Sequence, residues 1–306
     1  MNLRLGVARA AAFLAAGAAP VSFLALPASG GQSASGAARH AAGPARPAVS
    51  AVSCSSARQP ALAAKLAADI QAARSGRLST VAVGVDDPGP GLVCWLNPSS
   101  PFDSASVVKV TILGALLHTA AAQHRYLTQR EAALATAMIT MSDNDAASAL
   151  WAELGPGALQ NFLKLAQMTQ TSLGAGGYWG LTQITAHDEI LLLRLLTSPN
   201  PVLNNASRSY ALGLMAEVIP AQRWGVPAGA PATLTTHVKN GWLPLSTHGW
   251  RIHSIGCFTG PGRTYSIVVL TQDNPTMPYG VTTVEAIARV IHRDLNPAAA
   301  PAHPQA

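Results

Sequence analysis

Strand-type sequence occurs in two blocks far apart in this chain, with only helical sequence between them, and this constrains the fold more than composition does. The first block is Val81–Val85 and Leu92–Leu96, divided by Asp86-Asp87-Pro88-Gly89-Pro90-Gly91. β-rich runs on either side of a Gly/Pro/Asp cluster predict a hairpin. The second block is Thr233–Val238, Arg251–Phe258 and Tyr265–Thr271, separated by Gly/Pro turns. Between the blocks the pattern is helical. A long apolar helix is expected over Val107–Gln123. Thr128 with Glu131 makes a capping box for a helix to about Thr140. Asn144–Leu154, Gly157–Met168, Glu189–Leu196 (capped by Thr185 with Asp188) and Arg208–Val218 read as further helices. Helices also flank the blocks: Leu62, Leu66 and Ile70 recur every fourth position in Ala61–Arg74, and Thr283–Arg293 closes the chain. The expected fold is α+β: a five-stranded antiparallel sheet flanked by N- and C-terminal helices, with an all-helical insert. Such a sheet is expected to bring residues near 95 beside residues near 240.

The 306 residues are expected to hold one domain. Arg4 and Arg9 flank the start of the apolar run Ala10–Leu26, and Pro27-Ala28-Ser29-Gly30 follows. Charged, apolar and small-residue regions in that order read as a Sec-type signal peptide over residues 1–30. The run is short and broken by Gly17 and Pro20, which argues against a membrane anchor. Residues 31–53, rich in Ala, Gly, Ser and Pro, read as a linker without a core, and 297–306 as a similar tail. The domain is then 54–296, and the protein is expected to be secreted. Formal net charge is +6, but only 11% of residues are charged and no basic cluster exceeds a pair, so a nucleic-acid partner is not expected. Nine histidines without His-x-His or His-Glu-x-x-His spacing predict no metal site and no cofactor; His118 and His253 read as ordinary helix and strand residues. None of the three cysteines is in a CxxC pair. Cys257 stands in an apolar strand as a buried free thiol, leaving Cys54 and Cys94 to form a disulfide. Only a loose lipobox precedes Cys54, far from the apolar run, so lipid attachment is not expected.

Three short motifs carry chemistry: Ser106-Val107-Val108-Lys109, Ser142-Asp143-Asn144 and Lys239-Asn240-Gly241. A serine hydroxyl is a weak nucleophile until a base takes its proton. Lys109, three residues on in a helix, shares a face with Ser106. Burial near a second cation lowers an ammonium pKa, which makes the neutral Lys109 amine the base and Lys239 that second cation. Ser142 can relay a proton to a leaving nitrogen. Asn144 offers a donor and an acceptor to a substrate amide. Lys239 and Arg251 can hold a substrate carboxylate, although Arg251 reads equally as a sheet-surface charge.

Motifs of these types in this order resemble the penicillin-recognising serine hydrolases. Ala137–Leu150, continuing to Gly155-Pro156-Gly157, is similar to the same region of class A β-lactamases, and weaker similarity runs from about Ala61 to Asn296. The resemblance implies a β-lactamase/transpeptidase-like fold, with Ser106, Lys109, Ser142 and Lys239 catalytic and Asn144, Asn240, Gly241, Trp242 and Arg251 around the substrate. It also implies an oxyanion hole from the Ser106 N–H and a backbone N–H near Trp242 or Leu243, with Gly241 permitting close approach, and Asp143 fixing its own loop. The expected partner is a small β-lactam or peptidoglycan-like molecule, and the expected state a monomer.

Three features depart from that pattern. Asn240 stands where the family has Thr or Ser. Ser142 follows Ser106 by 36 residues (142 − 106), a shorter helical region than in class A enzymes. Class A enzymes carry a glutamate after the second motif that activates the deacylating water. Here residues 154–187 contain no Asp or Glu, and Gly174–Gly180 occupies the zone, with Tyr178 and Lys109 the expected substitutes. Slow deacylation is therefore expected. The leading expectation is a class A-type hydrolase acylated at Ser106 by β-lactams or acyl-D-Ala compounds. The alternatives are a cell-wall D,D-peptidase or endopeptidase, and a non-catalytic cell-wall peptide binder.

Overall fold

The computed structural model describes residues 50–297. The expected signal peptide, most of the linker and the tail after 297 lie outside the described residues. Eight strands and seven helices follow one another: β1 Ser53–Ser56, α1 Pro60–Ala73, β2 Thr80–Asp87, β3 Leu92–Leu96, β4 Phe102–Asp103, α2 Val108–Ala122, α3 Gln129–Thr140 and α4 Asn144–Leu165. Then come β5 Gln183–Ile184, α5 Ala186–Thr197, α6 Asn205–Ala216, β6 Thr235–Pro244, β7 Trp250–Gly260, β8 Arg263–Asn274 and α7 Met277–Leu295.

The main sheet is antiparallel with order β1-β3-β2-β8-β7-β6, so the two distant blocks of strand sequence do join, at the β2–β8 pairing. It has six strands rather than five. The sixth, β1, is the polar Ser53-Cys54-Ser55-Ser56, whose composition carries no strand signal. It is recruited by pairing with β3, where Cys54 stands opposite Cys94 and the two form a disulfide. Cys257 is a buried free thiol, pushed by burial to about 12. Residues near 95 do not lie beside residues near 240: β3 and β6 are separated by β2, β8 and β7. The chain instead crosses from one end of the sheet to the other after β3, through β4.

Strand alternation sorts the two faces. On β8, Tyr265 meets His292 of α7, while Val268 is paired with Gly84, whose missing Cβ would overlap Ile190 of α5. Helices α1 and α7 therefore cover one face and α5 the other. Thr276 caps α7, and Lys65, Asp69, Arg293 and Asp294 tie α1 to α7. Helix α2 is apolar around most of its circumference and buried accordingly, the pattern of a central helix. It packs against α4 and α6. Thr128 and Glu131 form the capping box of α3, and Arg125 holds the Glu131 carboxyl down at about 2. Gly155, with φ of 66°, breaks α4 before Pro156 into the two helical pieces its sequence suggests.

The disulfide closes a sequence separation of 40 residues and holds an otherwise polar edge strand. Cys94→Ser should lower stability by about 4 kcal/mol in the chain-entropy account, read as a lower urea midpoint with a steeper slope as the unfolded chain expands. An unchanged midpoint means that β1 is held by its ladder alone.

Candidate active site

The segment that carries Ser106 is pinned before it reaches the serine. β4 pairs with β5, and Ser104 N–H donates to Thr182 O at 2.8 Å. The Asp103 carboxylate accepts from Arg251 Nε at 2.8 Å and Nη2 at 2.6 Å, and from Gln183 Nε2 at 2.7 Å. Its carbonyl accepts from His253 Nε2 at 2.8 Å, while His253 Nδ1 accepts from Thr271 N–H at 3.1 Å. Both imidazole nitrogens are thus committed to one neutral tautomer, and complete burial brings His253 down to about 4. Ala105 then takes a left-handed backbone, φ 47°, and Ser106 sits in a short helical turn, Ala105–Val107, that leads into α2. Side chains disfavour that conformation, so the surrounding bonds hold it there.

This turn covers β6, the edge strand of the sheet. A Cβ on Gly241 would stand 2.9 Å from Ser104 O and 2.9 Å from Ser106 N. Only glycine lets the edge strand approach the serine's amide this closely. The approach is the geometry an oxyanion hole needs, one N–H from the Ser106 turn and one from β6.

Two buried amines converge here. Lys109 Nζ donates to Ser142 O at 2.7 Å, Asn144 Oδ1 at 2.7 Å and Ser142 Oγ at 3.2 Å. Ser142 is itself left-handed, φ 59°, which closes α3 and lets Asp143 N–H return to Ala137 O. The Asp143 side chain accepts from Ala146 N–H at 2.7 Å and so caps α4. Lys239 is fully buried and, among the described residues, its one hydrogen bond is to its neighbour's carbonyl, Asn240 O, at 3.4 Å. Burial brings Lys109 down to about 8, against the pull of Asp143. Burial and then the charge of Lys109 bring Lys239 down to about 7. Lys109 has three oxygens to receive its N–H bonds where Lys239 has one, and both amines are brought towards neutrality by burial. Among the described residues no hydrogen bond joins Ser106 Oγ to either amine.

Asn240 and Arg251 do not serve as expected. Alternation sends the Asn240 side chain to the face opposite Lys239 and Gly241, where Nδ2 donates to Gln222 O and Trp224 O, both at 2.8 Å. It straps the 220–226 loop to β6 instead of meeting substrate. Trp242 points the same way and packs edge-on against Trp224, with centroids 6.1 Å apart. Its backbone alone remains for the oxyanion. Arg251 is buried and consumed by Asp103, Thr247 O and Gly249 O; it is neither a surface charge nor a free carboxylate clamp.

In the carboxylate-free segment, Tyr178 is 69% exposed. The residue that meets the site is the next one, Trp179, whose ring lies 4.7 Å from Lys109 Nζ and whose Nε1 donates to Ser148 Oγ of α4 at 3.1 Å. Sequence reading missed it, although it is the aromatic that stands beside the glycines in that zone. The carboxylates that follow are sequestered. Asp188 accepts from Gln170 N–H and Thr171 Oγ1, and burial beside Asp188 pushes the Glu189 carboxyl well above its ordinary range.

Comparison with known proteins agrees with this fold. A profile of the Beta-lactamase enzyme family matches residues 131–295. A class A β-lactamase from Bacteroides cellulosilyticus superposes with a TM-score of 0.67 at 17% identity, over 76% of this chain and 98% of that one. The TLA-3 extended-spectrum β-lactamase gives 0.68 at 15%, over 75% and 98%. An ancestral class A β-lactamase of Gram-negative bacteria (GNCA) gives 0.62 at 21%, over 74% and 98%. At these identities the likeness is one of fold. No curated protein sequence matches the chain.

Arg251→Met leaves Asp103 without its partner and should lower stability by about 3 kcal/mol in urea unfolding. If the guanidinium instead held a substrate carboxylate, stability would be kept and affinity lost. Lys239→Met should act with the opposite sign. The Lys239 pKa falls from 10.5 unfolded to about 7 folded, so the unfolded chain holds the extra proton between those values. The cost to folding is full below about pH 7 and fades as pH rises towards 10.5. The variant should melt higher than the parent at pH 6 and lose that advantage by pH 10.5. An equal gain at both pH values would mean that packing, not charge, is the cause.

Proposed function

The chain belongs to the β-lactamase enzyme family and is a serine hydrolase of that type, and we propose that it is exported and acylated at Ser106 by β-lactams or acyl-D-Ala compounds. The observation that carries this reading is the close approach of Gly241 to the Ser106 turn, with Lys109, Ser142 and Asn144 in one hydrogen-bonded group and Lys239 near enough to feel the charge of Lys109.

In the proposed reaction Ser106 Oγ adds to the substrate carbonyl and its proton passes to a neutral amine of the Lys109–Lys239 pair. The oxyanion is held by the Ser106 N–H and the β6 backbone near Trp242. The C–N bond then breaks. Ser142 Oγ gives its proton to the departing nitrogen and recovers one from an ammonium, so the net transfer runs from serine to nitrogen and the lysines end as they began. Hydrolysis of the resulting ester is slow in this reading, because no carboxylate of residues 154–187 is present to polarise water. Losing such a base costs about a hundred- to ten-thousandfold. The signal-peptide sequence supports export, and a monomer is the proposed state.

Intact-mass analysis after incubation with benzylpenicillin should show one penicilloyl adduct on the parent protein and none on Ser106→Ala. With a chromogenic cephalosporin, a burst of about one equivalent should precede a slow steady state. An adduct that persists in Ser106→Ala places the nucleophile elsewhere, and rapid linear turnover from time zero removes the slow-ester reading.

A further inference from the structure

The buried ammonium of Lys109 meets four groups that favour its charge, three oxygens and a ring face. The oxygens, Ser142 O, Ser142 Oγ and Asn144 Oδ1, take its N–H bonds. The ring face is that of Trp179, at 4.7 Å. A ring face at this distance attracts an ammonium and does nothing comparable for a neutral amine.

The indole is not there by accident of a loose loop. Trp179 Nε1 is anchored on Ser148, Ser104 Oγ lies within bonding distance of Trp179 O and Gly180 O, and Thr182 O holds Ser104 N–H. Gly174 has Tyr178 O where its Cβ would be, 2.1 Å away, so the loop closes tightly on itself. The same segment that delivers Trp179 is thereby bonded to the residue two before Ser106. The other charged groups around Lys109 are Asp143 at the start of α4, which favours its proton, and Lys239 of β6, which opposes it. The 154–187 segment adds no carboxylate.

Resting on the acyl-enzyme reading above, we propose that Trp179 is a positioning residue that acts through Lys109. Its ring keeps the proton on that amine, so Lys109 does not serve as the base that activates water, and Trp179 sets the lifetime of the Ser106 ester. The segment in which relatives of class A type place a water-activating glutamate here carries a group of the opposite effect.

The test needs no turnover for its first arm. Lys65, Lys109, Lys164 and Lys239 are the chain's only lysines, so 13Cε-lysine spectra of the whole protein can be titrated, with Lys109→Arg assigning the resonance. Trp179→Leu should lower the ammonium-to-amine ratio of Lys109 at a given pH three- to tenfold, while Trp179→Phe keeps it near the parent value. Trp179→Met serves the same purpose if the leucine variant does not fold. In the second arm, the penicilloyl adduct formed with benzylpenicillin should decay three- to tenfold faster in Trp179→Leu and at the parent rate in Trp179→Phe. A ratio unmoved in Trp179→Leu, or moved alike in both variants, overturns the hold on Lys109. A moved ratio with an unchanged adduct lifetime overturns the link to hydrolysis. Absence of any adduct on the parent protein defeats the acyl-enzyme reading instead, and the lysine titration then still decides what Trp179 does.

Discussion

Asp103 joins the parts of the molecule that must agree for a site to exist. Its carboxylate takes Arg251 from β7 and Gln183 from β5, and its carbonyl takes the N–H of His253. One residue thus binds the central sheet, the start of the nucleophile turn and the end of the carboxylate-free segment. Charge-assisted, largely buried bonds of this kind are strong and directional. The consequence is geometric: Ser104–Val107 cannot slide along β6, and the close approach at Gly241 follows. Trp179, four residues before Gln183, inherits its place over Lys109 from the same anchor.

Much of this was legible in the chain. Elements with strong local signals came out within a few residues of their observed ends: the α3 capping box, the Leu92–Leu96 strand and the Thr185 cap of α5. The failures share a cause, which is that the deciding interaction is non-local. β1 has no strand composition and exists through its ladder and its disulfide to β3. The separation of β3 from β6 depends on a crossover through a two-residue strand, too short to carry periodicity. Strand order in a sheet built from distant segments is not written in any one segment.

At the site, residue types were readable and orientations were not. Ser142 and Asn144 meet Lys109, Asp143 caps its own helix, and Gly241 lies against the Ser106 turn. Asn240 lies within a recognisable triplet, yet alternation along β6 turns it to the opposite face from its two neighbours. Arg251 has the right charge and the wrong partner, since nothing near it in sequence announces Asp103. Trp179 faces a cation that comes from α2, a contact that its own loop sequence does not announce.

The site also holds features that folding alone would avoid. Ala105 and Ser142 occupy left-handed backbone, each at a cost of about 1–3 kcal/mol. Lys239 is buried without an acid, beside a second buried amine. A carboxylate near Lys239 would remove most of that electrostatic cost, but would also hold its proton permanently and leave no neutral amine for Ser106. The same reasoning explains why Asp188 and Glu189 are withdrawn from the amines, one into hydrogen bonds and the other into the core. Uncompensated charge at these amines is therefore a condition of the proposed chemistry. Stability has to come from elsewhere: the cross-strand disulfide, the Asp103 junction and the apolar packing around α2. None of those supports brings a carboxylate to the amines, so they can hold the fold without neutralising the charge it depends on.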